Sequence, residues 1–209
     1  MEENMKLIDP KDNLIANEWQ KRYSLLNQDT KEKIDKFFTS MKPEEYQLKV
    51  IKRTRTKPAE GDIFILSPRE NLFFYGRVLI SNINHIAQSP FIHGKSVIVI
   101  FRCRSEAIGW DGYRPNYDEL LIQPTIVDSS YWSRGFFHTI GNKPISKYES
   151  KLDIGFYDTS FGIFRTETGK EMNHRPKLLG MYGISTIIGI TIKVNQELII
   201  QPKLLDIES

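Results

Sequence analysis

Apolar positions recur at helical spacing only near the start of the chain. In DNLIANEWQKRYSLLN, Ile15, Trp19, Arg22, Tyr23 and Leu26 fall three or four apart behind Asp12, a side chain suited to capping a helix. This predicts one amphipathic helix. In QDTKEKIDKFFTSMKPEE, Asp29 and Glu32 form a candidate capping pair, and Ile34, Phe37, Phe38 and Met41 make an apolar stripe that Pro43 ends. The expected product is a helical hairpin whose apolar faces need a partner surface, because isolated helices of this length are marginal in water.

From Tyr46 the period changes to alternation, and β-branched and aromatic residues replace helix formers. Strands are expected at 47–53, 62–66, 72–79, 96–102, 119–123, 154–157, 161–165, 186–194 and 198–201. SPREN and DTSFG are short enough to turn hairpins, so pairing should be antiparallel. Without helical crossovers after residue 42, a doubly wound nucleotide-binding sheet is disfavoured. The fold class predicted is α+β: an N-terminal helical hairpin packed on a bent, mostly antiparallel β-sheet or partial barrel. Residues 1–45 form the helical segment and 46–209 the β-rich domain, together one globular unit.

Composition fits this picture without sharpening it. Of 209 residues, 40% are hydrophobic and 26% charged, an ordinary globular balance. The 29 basic and 26 acidic residues leave +3, too little to indicate nucleic acid or membrane as a partner. A single cysteine, Cys103, allows no internal disulfide, and the polar, acidic start lacks the pattern of a secretion signal, so a cytoplasmic protein is expected.

Candidate chemistry is sparse. The four histidines show no i, i+4 pair, so no metal and no other cofactor is expected. Phosphate-loop, nucleophile-elbow and zinc-protease motifs are missing. His138 is the best candidate for a catalytic histidine, with a structural role preferred, and Cys103 reads as a small buried hydrophobe. The basic run of Lys49, Lys52, Arg53, Arg55 and Lys57 reads first as a charged edge strand and second as a phosphate track. Two aromatic clusters stand out. GWDGYRPNYDELL concentrates Trp110, Tyr113, Arg114 and Tyr117, types that dominate protein-interface hot spots, and SSYWSRGFFH supplies Tyr131, Trp132 and Arg134. Such rings serve equally to plug a β core or to stack single-stranded bases.

The stretch Glu60–Leu79, EGDIFILSPRENLFFYGRVL, resembles the opening block of the Immunity protein 26 family of bacterial polymorphic toxin systems, with its Gly-Asp-(Ile/Val)-Phe and aromatic-Gly-Arg-Val strands. WSRGFFHTIGN (132–142) and LLGMYG (178–183) resemble its later blocks, and the likeness spans about 58–195. Physically, Ile63 and Ile65 should face one side of a strand with Phe64 and Leu66 on the other. Gly76 allows close approach, and Arg77, beside an apolar sheet, has Asp62 as candidate partner.

The resemblance implies a non-catalytic protein that binds and neutralises a cognate toxin in the bacterial cytoplasm. Trp110, Tyr113, Arg114 and Tyr117 are the expected toxin contacts. An inhibitor of a basic nuclease needs an acidic face, which Asp111, Asp118, Glu119, Asp128, Glu149 and Asp153 could build if folding gathers them. The alternative is a small-barrel RNA-binding protein or ribonuclease of the messenger-RNA interferase type, with Arg77 and a neighbouring acid or histidine acting on RNA.

Overall fold

A computed structural model describes residues 13–40, 42, 46–84 and 90–206. Helix α1 (Leu14–Ser24) is capped by Asn13, whose side chain accepts from the amides of Ile15 and Ala16; the predicted cap, Asp12, lies outside the described residues. Helix α2 (Gln28–Ser40) begins behind Asn27, which accepts from the Thr30 amide at 2.8 Å. Asp29 instead pairs with Lys33 on the helix surface. Pro43 lies outside the described residues. The hairpin is fixed by the Tyr23 hydroxyl, which reaches the Asp35 carboxylate at 2.8 Å.

Five strands form an open antiparallel sheet in the order β4-β3-β2-β1-β5: β1 Asp62–Arg69, β2 Leu72–Ile80, β3 Ser96–Ser105, β4 Leu120–Val127 and β5 Phe137–Asn142. The turn between β1 and β2 is Glu70-Asn71, with Asn71 at φ 56°, a left-handed conformation that asparagine tolerates. Register shifts in all four pairings bend the sheet, as expected, yet it does not close into a barrel. A second sheet, β8-β7-β6-β9, contains β6 Ile154–Asp158, β7 Ile163–Arg165, β8 Glu171–Met172 and β9 Leu178–Met181. Its β6–β9 pair is parallel. Gly180 lets β9 lie against β4, since a Cβ there would sit 2.0 Å from the Pro124 carbonyl oxygen. The Ser185 amide then donates to the Ile126 carbonyl at 2.8 Å.

Two expectations need correction. The segments 186–194 and 198–201, read as strands, form one helix, α4 (Ile187–Ile200), which Thr186 caps by accepting from the Gly189 amide. Its β-branched residues are outweighed by an apolar stripe of Ile190, Val194 and Leu198, buried against the main sheet. The 47–53 segment is extended but joins no sheet. Its amides bond singly, Lys49 to Ser67 and Ile51 to Gly135, each at 2.8 Å. The α+β class stands, and the hairpin joins the sheet by way of α4, with α2 against that helix and Arg22 held bidentate by Glu197 at 2.5 and 2.8 Å. A further short helix, α3 (Ser130–Ser133), leads into β5.

Both faces of the main sheet are buried, so alternation in β1 separates two cores rather than core from solvent. Phe64 and Leu66 join Trp132, Phe137 and α4 on one face, while Ile63 and Ile65 join Tyr75, Phe101 and Tyr117 on the other.

Candidate binding surface

The loop from residue 106 to 119 joins β3 to β4 and covers the second face. Tyr75 anchors it: its hydroxyl accepts from the Gly112 amide at 3.2 Å and bonds Ser105 Oγ at 2.9 Å. Tyr113 packs between Tyr75 and Phe101, with ring centroids 5.7 and 6.1 Å away. Trp110 stands perpendicular to Tyr113 and lies on Gly141 of β5, where a Cβ would come within 2.3 Å of its ring. Lys143 Nζ sits 4.9 Å from the Trp110 centroid, a cation–π contact. These contacts fix the indole while leaving it 37% exposed.

Under the loop lies a buried ion pair. Arg77, 2% exposed on β2, donates from Nε to Glu149 Oε1 at 2.9 Å and from Nη2 to Oε2 at 3.2 Å. The guanidinium also donates to the carbonyls of Gly61 and Pro144. Glu149 accepts further from the Tyr117 hydroxyl at 2.5 Å and the Ser146 amide at 2.8 Å, while its own amide donates to Ser146 Oγ. The predicted partner Asp62 is engaged elsewhere, with the Ala59 amide and Asn142. Asp62 is adjacent in sequence to Gly61, but Glu149 completes the bidentate geometry that a planar guanidinium prefers. Its sequence signal is the Ser-x-x-Glu spacing of residues 146–149, which forms a reciprocal capping pair.

Burial alone would raise the Glu149 carboxyl, but the bonds from Arg77, Tyr117 and Ser146 outweigh it and hold it down at about 2. Burial and the Glu149 charge push the Tyr117 phenol well up, and burial brings Tyr113 to about 12. All three tyrosine and carboxyl groups therefore keep one charge state across the neutral range.

The four expected contact residues thus separate by position. Trp110 and Arg114 are exposed, Tyr113 is partly buried, and Tyr117 is 7% exposed with its hydroxyl on Glu149. Tyr148, 5.9 Å from the Tyr117 ring, and Ile108, in the same loop as Trp110, are also exposed, and the composition singled out neither. The second aromatic cluster is core: Tyr131 and Trp132 are 1% exposed, and Trp132 Nε1 donates to Thr139 Oγ1 at 3.0 Å.

The remaining candidates stay dispersed. His138 is part-buried on β5, and its imidazole is shifted down by burial and by Lys52. Burial raises the Cys103 thiol, which opposes thiolate formation despite its arginine neighbours. His174 bonds exposed Asp153 at 3.0 Å, and His85 lies outside the described residues. Of the six acidic candidates, Glu149 pairs with Arg77, Asp153 with His174 and Asp118 with Lys177. Among the described residues no three His, Cys, Asp or Glu side chains converge as a metal site, and no helix is long and apolar enough to cross a membrane.

The architecture is that of an α+β domain with a bent antiparallel main sheet, over one face of which the 106–119 loop is braced. Within that class the chain belongs to the Immunity protein 26 family, whose family model matches residues 59–163. The match takes in the β1–β2 block, the loop, the 132–142 block and Glu149, and stops short of the resemblance at 178–183. No curated protein and no solved structure matches the chain significantly.

Proposed function

We propose that this protein is a non-catalytic immunity protein of a bacterial polymorphic toxin system, which binds one cognate toxin in the cytoplasm and neutralises it. Membership of the Immunity protein 26 family carries this reading. Toxin contact is made by Trp110 and Arg114, with Ile108 and Tyr148 at the rim; Tyr113 and Tyr117 act from beneath by holding the loop in one shape. A pre-ordered loop loses little entropy on binding, which is how a modest aromatic patch reaches useful affinity.

The ribonuclease alternative has less support. Arg77, its proposed catalytic group, is 2% exposed and fully engaged with Glu149 and two carbonyls. The test is co-expression with the product of the adjacent toxin gene. The expected result is survival only when this protein is present, with a stoichiometric complex on purification. Growth arrest or RNA cleavage by this protein alone would overturn the proposal.

A further inference from the structure

The pairing of β3 with β4 ends at Phe101 and Leu120, and Arg102–Ser105 continue beside β2 alone. The gap on the free side of β3 is a hollow of about 460 Å³, walled by Arg102, Arg104, Arg114, Asn116, Glu119 and Leu204. Three arginines and one glutamate line it, a net charge of +2. Among the described residues none of the three arginines is paired with a carboxylate. Arg104 donates to the main-chain carbonyls of Lys203 and Asp206, and Arg114 to that of Tyr113. Arg102 makes no hydrogen bond or ion pair among the described residues, and the buried Nε groups of Arg102 and Arg104 lack acceptors. Cys103, which also lines the hollow, adds no negative charge because burial raises its thiol.

Clustered like charges are unfavourable, and an anion entering the hollow relieves their repulsion. We propose that the hollow receives the carboxylates of an acidic segment of the partner toxin. This rests on the toxin-binding reading and adds the partner's chemistry to it: the partner surface is acidic, and the immunity protein does not imitate nucleic acid in a basic cleft. A planar guanidinium presents two parallel donors to a carboxylate, which suits three arginines to side-chain recognition. A nucleic acid fits less well, because its bases need rings beside the phosphate track. Tyr113 is packed between Tyr75 and Phe101, and exposed Trp110 lies over β5, three strand spacings or about 14 Å from β3.

The probe is a hexaglutamate peptide titrated into the full chain while the Nε–Hε resonances of Arg102 and Arg104 are followed by NMR, with decathymidylate and chloride as separate arms. Hexaglutamate should move both resonances; Arg114→Gln should weaken its binding at least fivefold, and Glu119→Gln should tighten it at least twofold. Arg104 is left intact because it holds the turn after α4. Unmoved resonances, unchanged affinity in both variants, or a response to decathymidylate or chloride alone would overturn the proposal. The two readings fail separately. If the wild-type chain captures the toxin and a variant carrying Arg102→Gln with Arg114→Gln captures it equally well, the hollow is wrong and immunity stands. If hexaglutamate binds as expected but the wild-type chain neither rescues cells nor captures the toxin, the immunity reading is wrong and the carboxylate site stands.

Discussion

Arg77 shows how a residue can be conspicuous in sequence and still hide its partner. A guanidinium amid apolar β2 must be paired when buried, and burying it unpaired is strongly unfavourable. That much was legible. The choice of Glu149 over Asp62 was not, because it depends on a loop 72 residues away returning under the sheet. Arg77→Leu should therefore destabilise by about 3–5 kcal/mol, since it strands a buried carboxylate, and adding Glu149→Leu should recover much of the loss in denaturant unfolding. The pair also predicts an acid limb. Glu149 titrates lower in the folded chain than the ordinary 4.5, so its contribution is present above pH 4.5 and is lost as pH falls toward 2. Glu149→Gln should lower stability at pH 7 and flatten this limb; an unchanged pH profile would show that Glu149 does not carry it.

Among the elements, the β1–β2 hairpin is readable because the alternation on both sides of SPREN and Gly76 agree, although β1 runs on through Arg69 and leaves only Glu70-Asn71 as the turn. A Cβ at Gly76 would lie 2.2 Å from the Phe64 ring, so only glycine fits there. Helix α4 was misread because Ile, Thr and Val predominate in ISTIIGITIKV, and local preference favoured strand. The decisive signals were the Thr186 cap and the four-residue spacing of Ile190, Val194 and Leu198, which matter only once a sheet face is available to cover. Thr186→Ala should cost about 1 kcal/mol in thermal or denaturant unfolding, whereas a strand at this place would show no cap effect. The aromatic loop was visible as composition, but its division into exposed Trp110 and buried Tyr117 required β5 and the 146–149 turn beneath it. Gly141→Ala tests that division directly. The added methyl must displace the indole, changing tryptophan fluorescence and weakening toxin binding at little cost to the fold.

Across the whole molecule, a bent sheet buried on both faces holds one loop rigid on its second face, while α4 and the N-terminal hairpin complete the first. The near-neutral total of +3 conceals a local excess of arginine where β3 outruns β4, so net charge alone could not indicate the partner. Under the proposed function the loop binds the toxin and the core beneath it only positions it. The most direct measurement is toxin affinity, by calorimetry or interferometry, for Trp110→Ala with Arg114→Ala beside the wild-type chain, with thermal unfolding of both. At least tenfold weaker binding is expected while the double variant still unfolds cooperatively from a folded state; wild-type affinity in the double variant would overturn the proposed loop site.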